Sequence, residues 1–199
     1  MVSDAYRFAI PAVALGIGFV LLHLVFIAAI FFVLAAFICY FFRNPNRQIP
    51  AGNNLVVSPA DGKVVKISRR ADEQTISIFL NIFNVHVNRS PIAGELENLE
   101  YKRGKFKVAY DEEASRVNEQ NILTIKGQGI RVVVRQVAGL IARRVICWTR
   151  PGDPLKRGEL FGLIRFGSRV DLVLPGNVRI LVKVGDQVKG GSSILGDYA

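Results

Sequence analysis

One run of residues limits the fold before any other feature does. From Phe8 to Phe42 the chain reads FAIPAVALGIGFVLLHLVFIAAIFFVLAAFICYFF, 35 residues without an Asp, Glu, Lys or Arg. As a single helix it would extend about 52 Å at roughly 1.5 Å per residue. A hydrocarbon core about 30 Å thick takes only about 20 residues. The run is too long for one untilted span and short for two full spans with a turn. Gly16, Gly18 and His23 mark positions for a break, between two closely joined passes or within a re-entrant hairpin. It far exceeds the apolar part of a cleavable signal, and no small-residue cleavage site follows it. The expectation is a retained membrane anchor over residues 1–42.

After Phe42 the text turns polar: RNPNRQIPAGNN carries Pro45, Pro50 and Gly52 and predicts a linker over 43–54. The chain has 26 Lys and Arg against 16 Asp and Glu, a formal net charge of +10. Asp4 and Arg7 cancel within the anchor, so the whole excess belongs to residues 43–199. No recognition helix or aromatic RNA-binding motif accompanies it, so nucleic acid is not the expected partner. Beside an anchor the nearer partner is anionic lipid, at about 1 kcal/mol per basic residue close to the surface. Arg43 and Arg47, just past the apolar run, favour a catalytic or binding domain on the cytoplasmic face of the cell (inner) membrane. Cys39 lies in the apolar run and Cys147 in the polar part, which argues against a structural disulfide between them.

From residue 55 onward the pattern is β. GKVVKIS, TISIFL, NILTIK, IRVVVRQV, LIARRVICW, VDLVLP and VRILVKV are short, rich in Val and Ile, and separated by Gly or Asn turns. Only DEEASRVNEQ reads as helix or loop. A compact β-sandwich or barrel-like domain over 55–199 is predicted. Two distant stretches, VVSPADGKVVKI (56–67) and VKVGDQVKGGSSILG (182–196), resemble the two halves of a lipoyl/biotinyl-type hammerhead. The modifiable lysine of such carriers is absent, so that resemblance bears on fold and not on a swinging arm.

Three residues carry the chemistry. His86, in FNVHVNRSP, is the one histidine beyond the apolar run. The other, His23, lies within it, and no Cys pair has zinc spacing, so no metal site is predicted. Asp61 sits in SPADGKV, where Asp-Gly is ordinary turn chemistry unless a partner is brought to it. Gly167-Ser168, in LIRFGSRVDL, interrupts a strand-like run where no hairpin turn accounts for it. A β-bulge is the plain reading of such a glycine. The other Gly-Ser pair, Gly191-Ser192, falls in a glycine-rich turn that explains it. One Asp, one His and one Ser spread along the chain form a general-base array if the fold makes them converge.

Taken together, SPADGKV, FLNIFNVHVNRSP, RFGSRVDLVLP and VKVGDQVKGGSSILG closely resemble the pyruvoyl-dependent phosphatidylserine decarboxylases, above all their short subgroup with an N-terminal apolar segment. The likeness covers essentially all of residues 43–199. Longer members carry Leu-Gly-Ser-Thr at the processing site, where this chain has Phe166-Gly167-Ser168-Arg169. They also carry a second histidine at about the position of Phe83. The resemblance implies a proenzyme that severs itself between Gly167 and Ser168 into a β chain, 1–167, and an α chain, 168–199, which stay together as a heterodimer. Ser168 becomes a covalent pyruvoyl group, the only cofactor. His86 acts as general base, and Asp61 orients and stabilises its imidazole. Phosphatidylserine then forms a Schiff base with the pyruvoyl, loses CO2 and leaves as phosphatidylethanolamine. Arg165, Arg169 and Arg89 lie nearest the motifs and are the basic candidates for holding the headgroup.

Two other readings compete. A non-catalytic, membrane-tethered lipoyl-like assembly module accounts for the anchor and the hammerhead halves but leaves NVHVNRSP and RFGSRV without a use. A serine hydrolase built on the same three residues lacks the Gly-x-Ser-x-Gly elbow.

Overall fold

The computed structural model describes residues 1–104, 117–139, 144–165 and 168–199. It divides into two compact units, Met1–Asn46 and Arg47–Ala199.

The first unit is a helical hairpin. A 3-10 turn at Ser3–Ala5 leads into α1 (Tyr6–Leu21), and α2 (Val25–Phe41) returns. The long apolar run therefore breaks once, at Leu22–Leu24. There His23 takes a left-handed conformation (φ 61°) and Leu24 N–H bonds back to Phe19 O at 2.9 Å. That is the helix-ending geometry glycine usually supplies. Gly16 does not make the break. It lets the helices close, since a Cβ there would lie 2.9 Å from Phe32 Cε1. Phe19 stacks on Phe31 (5.3 Å between centroids), and Val2 N–H bonds to Phe42 O at 3.1 Å across the open end. Ser3–Leu21, 19 residues, is long and apolar enough to cross a membrane, while Val25–Phe41 is shorter at 17. Large apolar side chains point outward, among them Phe26 (92 % exposed) and Leu21 (75 %).

The second unit is β throughout: β1 (Leu55–Val57), β2 (Gly62–Arg69), β3 (Glu73–Leu80), β4 (Val87–Arg89), β5 (Gly94–Lys102), β6 (Gln120–Lys126), β7 (Arg131–Ala138), β8 (Val145–Cys147), β9 (Pro154–Leu155), β10 (Leu160–Ile164), β11 (Ser168–Pro175), β12 (Arg179–Ile180), β13 (Gln187–Val188) and β14 (Ile194–Asp197). Described pairings are all antiparallel. Eight strands form one sheet in the order β13-β2-β3-β11-β7-β6-β5-β9, and two three-stranded sheets, β1-β14-β12 and β4-β10-β8, complete the unit. The predicted mainly β class is observed among the described residues.

Strand β11 is the axis of the large sheet. It runs in unbroken register against β3 from Ser168 to Pro175 and against β7 from Ser168 to Val173. Alternation places Ser168, Val170, Leu172 and Leu174 on one face. The three hydrophobic members of that set belong to the main core with Ile76, Ile78, Leu80, Val132, Val134 and Ala138. The two stretches read as related halves zip together: β1 pairs with β14, β2 with β13, Ser58 N–H bonds to Ser193 O and Gly191 N–H to Ser58 O, both at 2.8 Å.

The expected linker is a linker only in part. From Arg47 onward the chain belongs to the β unit. Arg157 grips it through Pro50 O (2.6 Å) and Gly52 O (2.8 Å), and Ile49 occupies the space a Cβ on Gly158 would need. Arg47, expected as a membrane-flanking charge, is instead ion-paired with Asp61 at 2.7 Å. Arg43 keeps the flanking position, its guanidinium 3.8 Å over the Tyr40 ring.

Candidate active site at the crossover between sheets

The Gly-Ser interruption lies where the chain changes sheets. Strand β10 ends at Ile164 in the β4-β10-β8 sheet, and β11 begins at Ser168 in the eight-stranded sheet. Residues 165–167 join them. Phe166 and Gly167, including the expected cleavage-site glycine, lie outside the described residues. A link this short between different sheets is not a hairpin, which is why turn chemistry did not account for it.

Ser168 is fully buried, paired on one side with Leu80 and on the other with Ala138. Its Oγ has no hydrogen-bond partner among the described residues. A buried hydroxyl left unsatisfied costs about 1–3 kcal/mol, and alanine would fill the position without that cost. A serine in such a place calls for an explanation.

His86 is tied to the same crossover from two directions. Ile164 N–H bonds to His86 O at 3.2 Å, and β4, which starts at the next residue, pairs Val87 with Leu163. From the other side, Leu80 lies opposite Ser168, and a turn over residues 81–84 leads from Leu80 toward His86. Asparagines stiffen that turn: Asn81 N–H bonds to Asn84 Oδ1 (2.9 Å), Phe83 N–H to Asn81 Oδ1 (2.8 Å) and Asn84 N–H to Asn81 O (3.0 Å). The imidazole is fully buried, with Nδ1 3.0 Å from Asn84 O. A carbonyl only accepts, so Nδ1 carries a proton, and in the neutral ring Nε2 is the basic nitrogen. Val85, His86 and Val87 are all buried, so their alternation does not separate an inner from an outer face.

Asp61 has other partners. Arg47 donates to Oδ1 and Oδ2 at 2.8 and 2.7 Å, and Gly190 N–H donates to Oδ1 at 2.8 Å. The contact expected of Asp61, orienting the imidazole, is made by the Asn84 carbonyl. Asp61 instead fastens the SPAD turn to the glycine-rich turn of the other half.

The three basic candidates differ. Arg165 lies in the crossover itself, half-buried. Arg169 is buried and ion-paired with Asp171: NH2 donates to Oδ2 at 3.3 Å, and Nε lies 3.0 Å from Oδ1 without hydrogen-bond geometry. Arg169 and Asp171 project from the face of β11 opposite Ser168. Arg89 donates to Gly158 O at 2.8 Å; burial lowers its pKa, Arg47 lowers it further, and Asp61 opposes the shift.

Sequence reasoning missed a buried amide chain. Asn121 Nδ2 donates to Gln136 Oε1 at 2.9 Å, and Gln136 Nε2 donates to Asn88 Oδ1 at 2.8 Å. Gln136 is cross-strand from Val170, beside Ser168, and Asn88 is two residues from His86. The signal was present in IRVVVRQV: parity puts Gln136 on the core face with Val132 and Val134.

The site is a serine, buried and without a hydrogen-bond partner among the described residues, where two sheets hand over, with a buried imidazole strapped to that handover. It does not suit a hydrolase nucleophile raised on a strand-to-helix elbow. The family model described as Phosphatidylserine decarboxylase matches residues 34–196. The phosphatidylserine decarboxylase proenzyme of Solibacter usitatus is 52 % identical over 168 residues, covering 84 % of this chain and 82 % of that protein. That of Geotalea uraniireducens is 45 % identical over 201 residues, covering 98 % and 94 %. That of Carboxydothermus hydrogenoformans is 42 % identical over 194 residues, covering 92 % and 91 %. The chain belongs to the phosphatidylserine decarboxylase family.

Proposed function

We propose that this chain is a proenzyme that cuts itself between Gly167 and Ser168 and then converts phosphatidylserine to phosphatidylethanolamine and CO2. The observation that carries the reading is the buried Ser168 hydroxyl, without a partner among the described residues, at the start of a central strand and next to the crossover. Ser168 Oγ attacks the Gly167 carbonyl carbon while His86 Nε2 takes the hydroxyl proton, and the amide nitrogen leaves protonated. The peptide becomes an ester. Removal of the Cα proton of residue 168 expels the Gly167 carboxylate and leaves dehydroalanine. Its enamine tautomerises to the imine, and water displaces ammonia to leave a pyruvoyl group at the head of the α chain.

That group supplies an electrophilic carbonyl that takes up the substrate amine and accepts the electron pair released with CO2. The surrounding residues fit it. Residue 168 is held in register on both sides, and Leu80 and Ala138 keep water away. His86, aimed by Asn84, is the base for the cut and the proton donor to the carbon that loses CO2. Asp61 is assigned a positioning role through Arg47, holding the SPAD turn. Arg165 is the basic candidate for the headgroup. The zipped halves favour the hammerhead reading of β1, β2, β13 and β14. The apolar hairpin favours placement in the cell membrane, with Arg43 at the cytoplasmic interface.

Intact-mass measurement of the full chain tests the reading. Two fragments divided at 167/168 are expected, the smaller without an N-terminal amine, and Ser168→Ala is expected to give one uncut, inactive chain. A single unbroken polypeptide in an active wild-type preparation would refute it.

A further inference from the structure

Several strand ends converge where Ser168 lies. Leu80 of β3 and Ala138 of β7 flank Ser168, Val137 pairs with Gln120 at the start of β6, and Gln120 pairs with Lys102 at the end of β5. The turn after Leu80 has Ile82 and Phe83 at its tip, 38 % and 62 % exposed. Tips of this kind are normally polar. Here the two asparagines that would usually face solvent bond to the turn's own backbone, so the apolar pair stands on a stiff mount. Along the same sheet end Tyr101 is 53 % exposed, and Lys102, Arg103 and Arg144 are exposed. Arg103 and Arg144 both act on the Tyr101 phenol. Its pKa is raised, first by desolvation and then by Glu119, with the two arginines opposing.

We propose that this end of the sheet is a bilayer-docking rim: Ile82 and Phe83 enter the acyl-chain boundary, while Lys102, Arg103 and Arg144 lie against anionic headgroups. The site then receives its lipid sideways from the leaflet. The proposal rests on the lipid-decarboxylase reading and adds the surface through which the substrate arrives. A protein partner suits the rim less well. Among the described residues the rim offers two apolar side chains, far short of the roughly 1,000 Å² a specific protein interface buries. Apolar tips ringed by cations are what an anionic interface binds, and nearly all of the chain's positive excess lies in the β unit, Arg43 being the one net charge outside it.

The test uses the full chain in vesicles of phosphatidylcholine and phosphatidylglycerol that include lipids brominated high on the acyl chain. Phe83→Trp, in a Trp148→Phe background so that it is the only indole, is expected to be quenched by bromine and to emit at shorter wavelength. Leu181→Trp in the same background, half-exposed on β12's sheet, serves as the unquenched control. Phe83→Asp is expected to lower the ratio of turnover on bilayer phosphatidylserine to turnover on a short-chain, monomeric phosphatidylserine by about tenfold. An unquenched tryptophan at 83, or an unchanged ratio, overturns the docking rim. Failure of the wild type on both lipids overturns the decarboxylase reading instead, and leaves the quenching result to judge the rim alone.

Discussion

Gln136→Leu isolates what the buried amide chain contributes. The side chain sits in the core face of β7, fully buried, with Asn121 and Asn88 hydrogen-bonded to its two ends. Leucine has a similar volume, so the cavity contribution is small. What remains is loss of the two amide–amide hydrogen bonds and of a longer one to Ile146 O (3.4 Å), with Asn121 Nδ2 and Asn88 Oδ1 stranded inside the protein. Each stranded group costs about 1–3 kcal/mol. The better burial of leucine returns part of that, leaving a net destabilisation of about 2–4 kcal/mol. The measurement belongs in the Ser168→Ala background, where the chain is expected to stay whole and unfolding is unimolecular. Urea unfolding in detergent, followed by Trp148 emission, reads the difference. Adding Asn88→Ala and Asn121→Ala should then cost less than the sum of the single changes, because no polar partner is left behind. A Gln136→Leu cost under about 1 kcal/mol would refute the argument, since it would mean that neither asparagine depends on Gln136.

Three further outcomes are expected. His86→Ala should slow self-cleavage by about 10²–10⁴-fold, the usual worth of a positioned base; conversion read by gel over time checks it, and cleavage at the wild-type rate would confine His86 to later chemistry or to structure. Asp61→Asn should weaken the grip of Arg47 and slow maturation less than His86→Ala does, because Asn84 rather than Asp61 holds the imidazole; a larger effect than that of His86→Ala would restore Asp61 as the orienting carboxylate. The Asp197 carboxyl is held below its ordinary 3.8 chiefly by its hydrogen bond from Arg179. A depressed carboxyl stabilises above its unfolded value and loses that contribution as pH falls through the folded one. The difference in unfolding midpoint between wild type and Asp197→Asn should therefore be small, constant near neutrality, and vanish as the pH drops below about 4.

What could be read from the chain follows the strength of the local signal. β3, β6, β7 and β11 were legible because Val and Ile alternate or run together in them. β5 was not: GELENLEYK directs only Leu96 and Leu99 inward and puts Glu or Asn at most other positions, so its alternation is thin. VRILVKV predicted a full strand but yields only Arg179–Ile180, since Gly185 and Asp186 turn the chain back onto Val64 within a few residues. The break in the apolar run fell at His23 and not at either glycine, because Gly16 is needed for close packing against Phe32. In the candidate site, Ser168 and His86 were singled out because the motifs around them have no other evident use. The partners of Asp61 and Arg169 could not. Arg47 and Asp171 are set by long-range and cross-face geometry that no local pattern encodes.

The position of the proposed cut has a physical logic of its own. A bond broken inside a hairpin would leave two strands sharing one edge and free to fray. A bond broken where β10 hands over to β11 severs no pairing, because the two strands belong to different sheets. Downstream of it, β11 is gripped by β3 over eight register pairs and by β7 over six, β13 lies on β2, and β14 lies on β1. The fragment 168–199 is thus sewn into the remainder at three separate places, and its new end is fixed on both sides at the first residue. Self-cleavage there changes the chemistry of residue 168 without releasing the strand that aims it. The same constraint explains why the reactive residue opens a strand: one position earlier it would lie in the crossover, and one position later, in the place of Arg169, its side chain would point to the opposite face with Asp171.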